Sequence, residues 1–156
     1  MWREFIQGFT PHCHFSEPAP PSEIAQLEQE LSVRLPDDLR TLLAETDGAA
    51  VSVTFSGDEE PMLLSLVWSV AEMLNANQSF RAYDVEKPGQ FPPLTPLLFF
   101  ASEPNGDPIA FHATDEPGII KMSHEDYGER TVRALSLREY LTWLLEPVAE
   151  AKTGSV

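Results

Sequence analysis

The sequence predicts an α+β domain built on a single mostly antiparallel or mixed sheet flanked by helices. Apolar residues recur at helical spacing near both ends, at Ile24, Leu27 and Leu31 and again at Leu137, Tyr140, Leu141, Leu144 and Leu145. The runs between them are short and either alternate or are continuously apolar, which is strand patterning. No internal repeat is present, and helices outside a cluster of strands favour α+β over a doubly wound parallel sheet.

The elements follow in order. Residues 1–21 read as an extended N-terminal segment, because Pro18, Pro20 and Pro21 suit neither a helix interior nor a central strand. The domain proper is expected over 22–149, with 150–156 as a flexible tail that frays after about Ala149. Ser22 is a good N-cap and Glu23 suits the positive helix end, so a helix should run from Ser22 to about Ser32. Pro36 stands at a first helical position before Asp37 and Asp38, and Leu39, Leu42 and Leu43 form the stripe of a second helix. Asp47-Gly48 ends it, glycine accepting the left-handed conformation common at helix ends.

The period then changes. Val51 to Phe55 alternates as a strand, 56–61 is an acidic turn, and Met62 to Val67 is an apolar strand, together a hairpin. Ser69 and Glu72 have capping-box spacing, and Val70, Met73 and Leu74 predict a helix to about Gln78. Residues 84–96, with four prolines and a glycine, read as the longest irregular stretch. Leu97–Ala101, Ile109–Ala113 and Ile119–Met122 form an antiparallel meander around the turns at Asn105-Gly106-Asp107 and Glu116-Pro117-Gly118. A short strand over Thr131–Ala134 precedes a closing helix capped by Ser136 and Glu139.

A chain of 156 residues with 42% hydrophobic and 10% aromatic content is one domain with a packed core. Ten Lys and Arg face 25 Asp and Glu, a formal charge of −15. That field repels phosphate backbones and anionic lipid, so nucleic acid and membrane surfaces are not expected partners, whereas encounter with a basic protein is accelerated. No run reaches the ~20 apolar residues of a spanning helix, and the start of the chain lacks the apolar h-region of a secretory signal. With Cys13 as the only cysteine, the expected compartment is the reducing cytoplasm.

Several clusters carry residue types used in catalysis or ligation. In an extended His12-Cys13-His14 run the histidines point one way and the cysteine the other, so the three do not chelate together, and His112 and His124 lie far off in sequence. Cys13 has no identifiable base or orienting group. The acids of Asp58-Glu59-Glu60 and His124-Glu125-Asp126 sit in polar loops, without the desolvation that separates the pKa values of a catalytic pair, and match no calcium loop. The glycines form no phosphate-cradling motif. Neither cofactor nor metal is therefore expected. Trp68, Trp143 and Tyr127 are expected in the core, with Trp143 near the edge of its helical stripe.

The segments Glu23-Ile24-Ala25-Gln26-Leu27-Glu28, Leu35-Pro36-Asp37-Asp38-Leu39-Arg40-Thr41-Leu42-Leu43 and Asp47-Gly48 together resemble the front of a SUKH domain, in the group that contains Smi/Knr-type cell-wall regulators and bacterial toxin-immunity proteins. Asp47 stands where asparagine is usual in that group. The back half is similar through Leu98-Phe99-Phe100, Asn105 to Phe111, His124-Glu125 and Ser136 to Leu141, so the resemblance spans about 22–146. It implies a sheet flanked by helices, no catalytic residues and a protein-binding surface. The function expected from it is immunity against a cognate toxin such as a nuclease. A regulatory or scaffold domain binding a housekeeping protein is the alternative, and a small hydrolase is a third. As loop acids able to meet a basic toxin domain, Asp58, Glu59, Glu60, Asp107, Glu125 and Asp126 are the candidate contact residues.

Overall fold

The computed structural model describes residues 1–54, 60–114 and 116–153. Asp58 and Glu59 lie outside the described residues. The chain runs α1 (Trp2–Gln7), β1 (Cys13–Phe15), α2 (Pro21–Leu31), α3 (Asp37–Glu45), β2 (Ala49–Val53), β3 (Met62–Val67), α4 (Val70–Glu86), β4 (Leu97–Ser102), β5 (Pro108–His112), β6 (Ile119–Met122), β7 (Arg130–Ala134) and α5 (Leu137–Thr153).

The α+β class holds, but the strands form two sheets rather than one. The first is an antiparallel sheet in the order β1-β2-β3 and the second an antiparallel meander in the order β4-β5-β6-β7. Between them the chain leaves β3 through the Ser69 capping box into α4. The Trp68 N–H then donates to the Phe100 carbonyl at 2.8 Å, joining the sheets at a seam instead of a ladder.

The N-terminal segment differs from its sequence reading. Trp2 and Ile6 of α1 are fully buried, and β1 pairs with β2, Cys13 opposite Val51. Long-range polar contacts, invisible to local patterning, hold it. The Glu45 carboxylate at the end of α3 accepts the backbone N–H of Trp2 at 2.9 Å and of Arg3 at 3.2 Å, capping the short helix from outside. The Trp2 indole N–H donates to the Thr41 hydroxyl at 2.8 Å. Proline-rich residues 16–20 do bridge without regular structure.

Two apolar clusters flank the second sheet. One gathers α1, α2, α3 and α5 with the inner residues of both sheets, including Leu27, Leu39, Leu42, Val51, Leu66, Phe100 and Tyr140. The other lies on the opposite face of the four-stranded sheet, where Leu97, Phe99, Ile120 and Met122 pack under Phe80, Phe91 and Tyr127. β4 feeds both, Leu98 and Phe100 on one side and Leu97 and Phe99 on the other, which is why it reads as a continuous apolar run. Each fully buried aliphatic or aromatic side chain contributes about 1.5–3 kcal/mol of transfer free energy.

α4 extends eight residues past Gln78, to Glu86. Its apolar stripe stops early because polar contacts take over. Buried Asn77 donates through its amide nitrogen to the carbonyls of Met73 and Phe99, at 2.7 and 2.8 Å, and its oxygen accepts the Phe99 N–H at 2.9 Å. One turn on, Phe80 stacks on Phe99 at 4.2 Å between ring centroids. α3 ends on an extended Thr46 rather than on the expected left-handed glycine cap; Gly48, two residues on, does take φ +88°, and because a Cβ there would stand 3.0 Å from the Ser69 nitrogen it permits a close backbone approach. α5 continues through Pro147 to Thr153, beyond the expected fraying point.

Candidate functional site

Four of the six candidate contact acids are described, and the fold separates them. Glu60 is exposed just before β3, in the first sheet. Glu125 and Asp126 are exposed in the loop between β6 and β7. Asp107 is only 6% exposed, so the structure places it inside the protein rather than on a contact surface.

Asp107 immediately precedes β5, after a turn whose Gly106 has φ +95°. One of its oxygens lies 3.2 Å from the Lys121 ammonium and 3.1 Å from the Asn105 amide nitrogen, which donates to it. The other accepts the His124 backbone N–H at 3.1 Å and lies 2.6 Å from His124 Nδ1. Burial works to raise the pKa of Asp107, yet hydrogen bonds from His124, Lys121 and Asn105 outweigh it and hold the carboxyl well below the usual carboxylate range. Lys121 is raised by its bond to Asp107. It also reaches the buried Glu103 at 3.2 Å, and Glu103 accepts Arg133 Nε at 2.9 Å. The role of Asp107 on this geometry is to fix the loop that carries Glu125 and Asp126.

Arg133 continues the chain of contacts onto the face of Trp143, 4.3 Å from the ring centroid. Trp143 is 43% exposed, so it sits outside the core expected for it. Trp68 is partly buried and touches both apolar clusters. Tyr127 is partly buried at the centre of an aromatic group, its ring 5.4–5.8 Å from those of Phe80, Tyr83 and Phe91.

The irregular stretch after α4 is tied down. Asp84 accepts the backbone N–H groups of Leu94 at 2.8 Å and Thr95 at 2.7 Å. From the other side Arg130 donates to the carbonyls of Pro92 and Pro93. Nothing in the spacing of Asp84 and Leu94 signals this clasp, because a side-chain cap across a loop has no periodicity.

Sequence patterning also missed a cleft of about 650 Å³ between the first turn of α3, the β5–β6 turn and the β7–α5 corner. Arg34, Asp37, Asp38, His112, Glu116 and Leu135 line it. Arg34 lies 4.0 Å from Asp37, and His112 Nδ1 lies 3.7 Å from Glu116.

Among the described residues, no three His, Cys, Asp or Glu side chains converge as a metal site, and no helix is long and apolar enough to cross a membrane. Fold and charge together define an acidic α+β domain whose loops carry exposed carboxylates. The chain belongs to the SMI1 / KNR4 family (SUKH-1), whose family model matches residues 18–143. α1 and β1 precede that match. No curated protein matches the chain.

Proposed function

We propose that this chain is a non-enzymatic, cytoplasmic protein-binding domain of the immunity type, which neutralises a cognate basic toxin by occupying its surface. Family membership supports a protein-binding role, and the distribution of charge supports a basic partner. The observation that carries the reading is where the cations go. Arg133 and Lys121 pair with buried Glu103, and Arg40 pairs with Glu28 at 2.5 Å. Arg3, Arg81 and Arg130 donate to backbone carbonyls, and Arg138 lies over the rings of Trp2 and Phe5.

Seven of the ten Lys and Arg are thus engaged by the scaffold, while Glu60, Glu125 and Asp126 remain at the surface, with exposed Arg34 and Lys87, of a protein of formal charge −15. Such a field steers a basic partner and makes association sensitive to salt. The test is binding to the product of the gene adjacent to this one in its host. Stoichiometric binding that suppresses that product's toxicity is expected. A harmless neighbour that does not bind overturns the immunity role and leaves the regulatory alternative.

A further inference from the structure

We propose that the cleft between α3, the β5–β6 turn and the β7–α5 corner is the docking site, and that its occupant is a protruding loop of a basic protein carrying an apolar side chain beside lysine or arginine. This rests on the protein-binding reading above and names the site and the chemistry it takes.

The first argument is the position of Leu135. The Ser136 hydroxyl accepts the Glu139 N–H at 3.1 Å and so caps the start of α5, and the Glu139 carboxylate accepts the N–H of Leu135, one residue before the cap, at 3.2 Å. An apolar residue just before such a cap ordinarily packs back on the helix one turn in, at Tyr140 here. Tyr140 is instead fully buried in the core and Leu135 is 68% exposed on the lip of the cleft. The sequence therefore puts a large apolar side chain where the fold does not use it.

The second argument is charge. Asp37 and Asp38 are held at the N-terminal turn of α3, which has no side-chain cap, and both are exposed. Arg34 stands near Asp37 and His112 near Glu116, whereas among the described residues no cation pairs with Asp38. The lining is acidic, with one apolar point of attachment at its edge. Its concave shape suits inserted side chains of a protruding loop rather than a flat contact. An apolar side chain seated against Leu135, with a neighbouring cation reaching Asp38 and Glu116, satisfies both features, and an acidic loop satisfies neither.

The experiment is an amide-resolved NMR titration of the full chain with a synthetic peptide holding one leucine between two lysines, and with the same peptide carrying glutamates. Shifts at Asp38, Gly118 and Leu135 with the lysine peptide alone are expected. Asp38→Asn with Glu116→Gln should weaken that binding about tenfold, and Leu135→Ser about fivefold, while Glu86→Gln, at an exposed acid at the end of α4, leaves it unchanged. These side chains are exposed, so the variants fold. Shifts that cluster at Glu60 or Glu125, equal response to the glutamate peptide, or no response overturns the cleft assignment. The adjacent-gene product separates the two claims: equal binding to wild type and to a variant combining Asp38→Asn, Glu116→Gln and Leu135→Ser removes the cleft and keeps the partner, whereas no binding to wild type removes the partner reading itself.

Discussion

A single carboxylate oxygen of Asp107 meets His124 twice, accepting its backbone N–H at 3.1 Å and lying 2.6 Å from its ring nitrogen, and so locks the 103–107 turn to the loop before β7. Replacing Asp107 with asparagine should destabilise the fold by about 2 kcal/mol, since it weakens several charge-assisted bonds around a buried group. Because the folded-state pKa is lowered, the carboxylate's contribution is complete above the unfolded value of about 3.9 and is lost as pH falls through the lower folded value. Urea denaturation of wild type and Asp107→Asn should therefore differ at pH 7 and converge in strong acid. A constant difference across that range would contradict the role given to Asp107.

Elements with a local signal were legible in the sequence: the stripes of α2, α3 and α5, the Ser69-Glu72 box and the β4–β6 meander all read directly. What patterning could not reach depends on contacts far apart in sequence. α1 is short and is capped by Glu45, 43 residues from Trp2. The far half of α4 is held by Asn77 and Phe80 against Phe99 rather than by an apolar stripe. The division into two sheets depends on how α4 separates β3 from β4. Of the candidate contacts, Glu60, Glu125 and Asp126 are exposed loop acids, but Asp107 belongs to a network whose partners, Lys121 and His124, no spacing rule joins to it.

Asn77 bridges α4 to β4, and Asn77→Leu keeps the branching at Cγ while removing every side-chain hydrogen bond. It leaves the N–H and carbonyl of Phe99 without their buried partner, which costs about 2–4 kcal/mol. Chemical denaturation should show a lower midpoint with an unchanged slope. A loss below about 0.5 kcal/mol would mean that packing of Phe80, not Asn77, secures this end of the helix.

Asp84→Ala should release the 87–96 stretch without unfolding the domain. Faster amide exchange at Leu94 and Thr95 and earlier proteolysis within that stretch are expected, because both N–H groups lose their acceptor. Exchange at Phe99 should not change. Unaltered protection of Leu94 would assign the clasp to Arg130 instead.

The central claim is that this acidic surface recognises a basic protein. Affinity capture of the tagged chain from its own host, at low and at high salt with mass spectrometry of what elutes, tests it most directly. The account predicts a stoichiometric basic partner that is held at low salt and lost at high salt. A partner that is acidic or retained at high salt would contradict it.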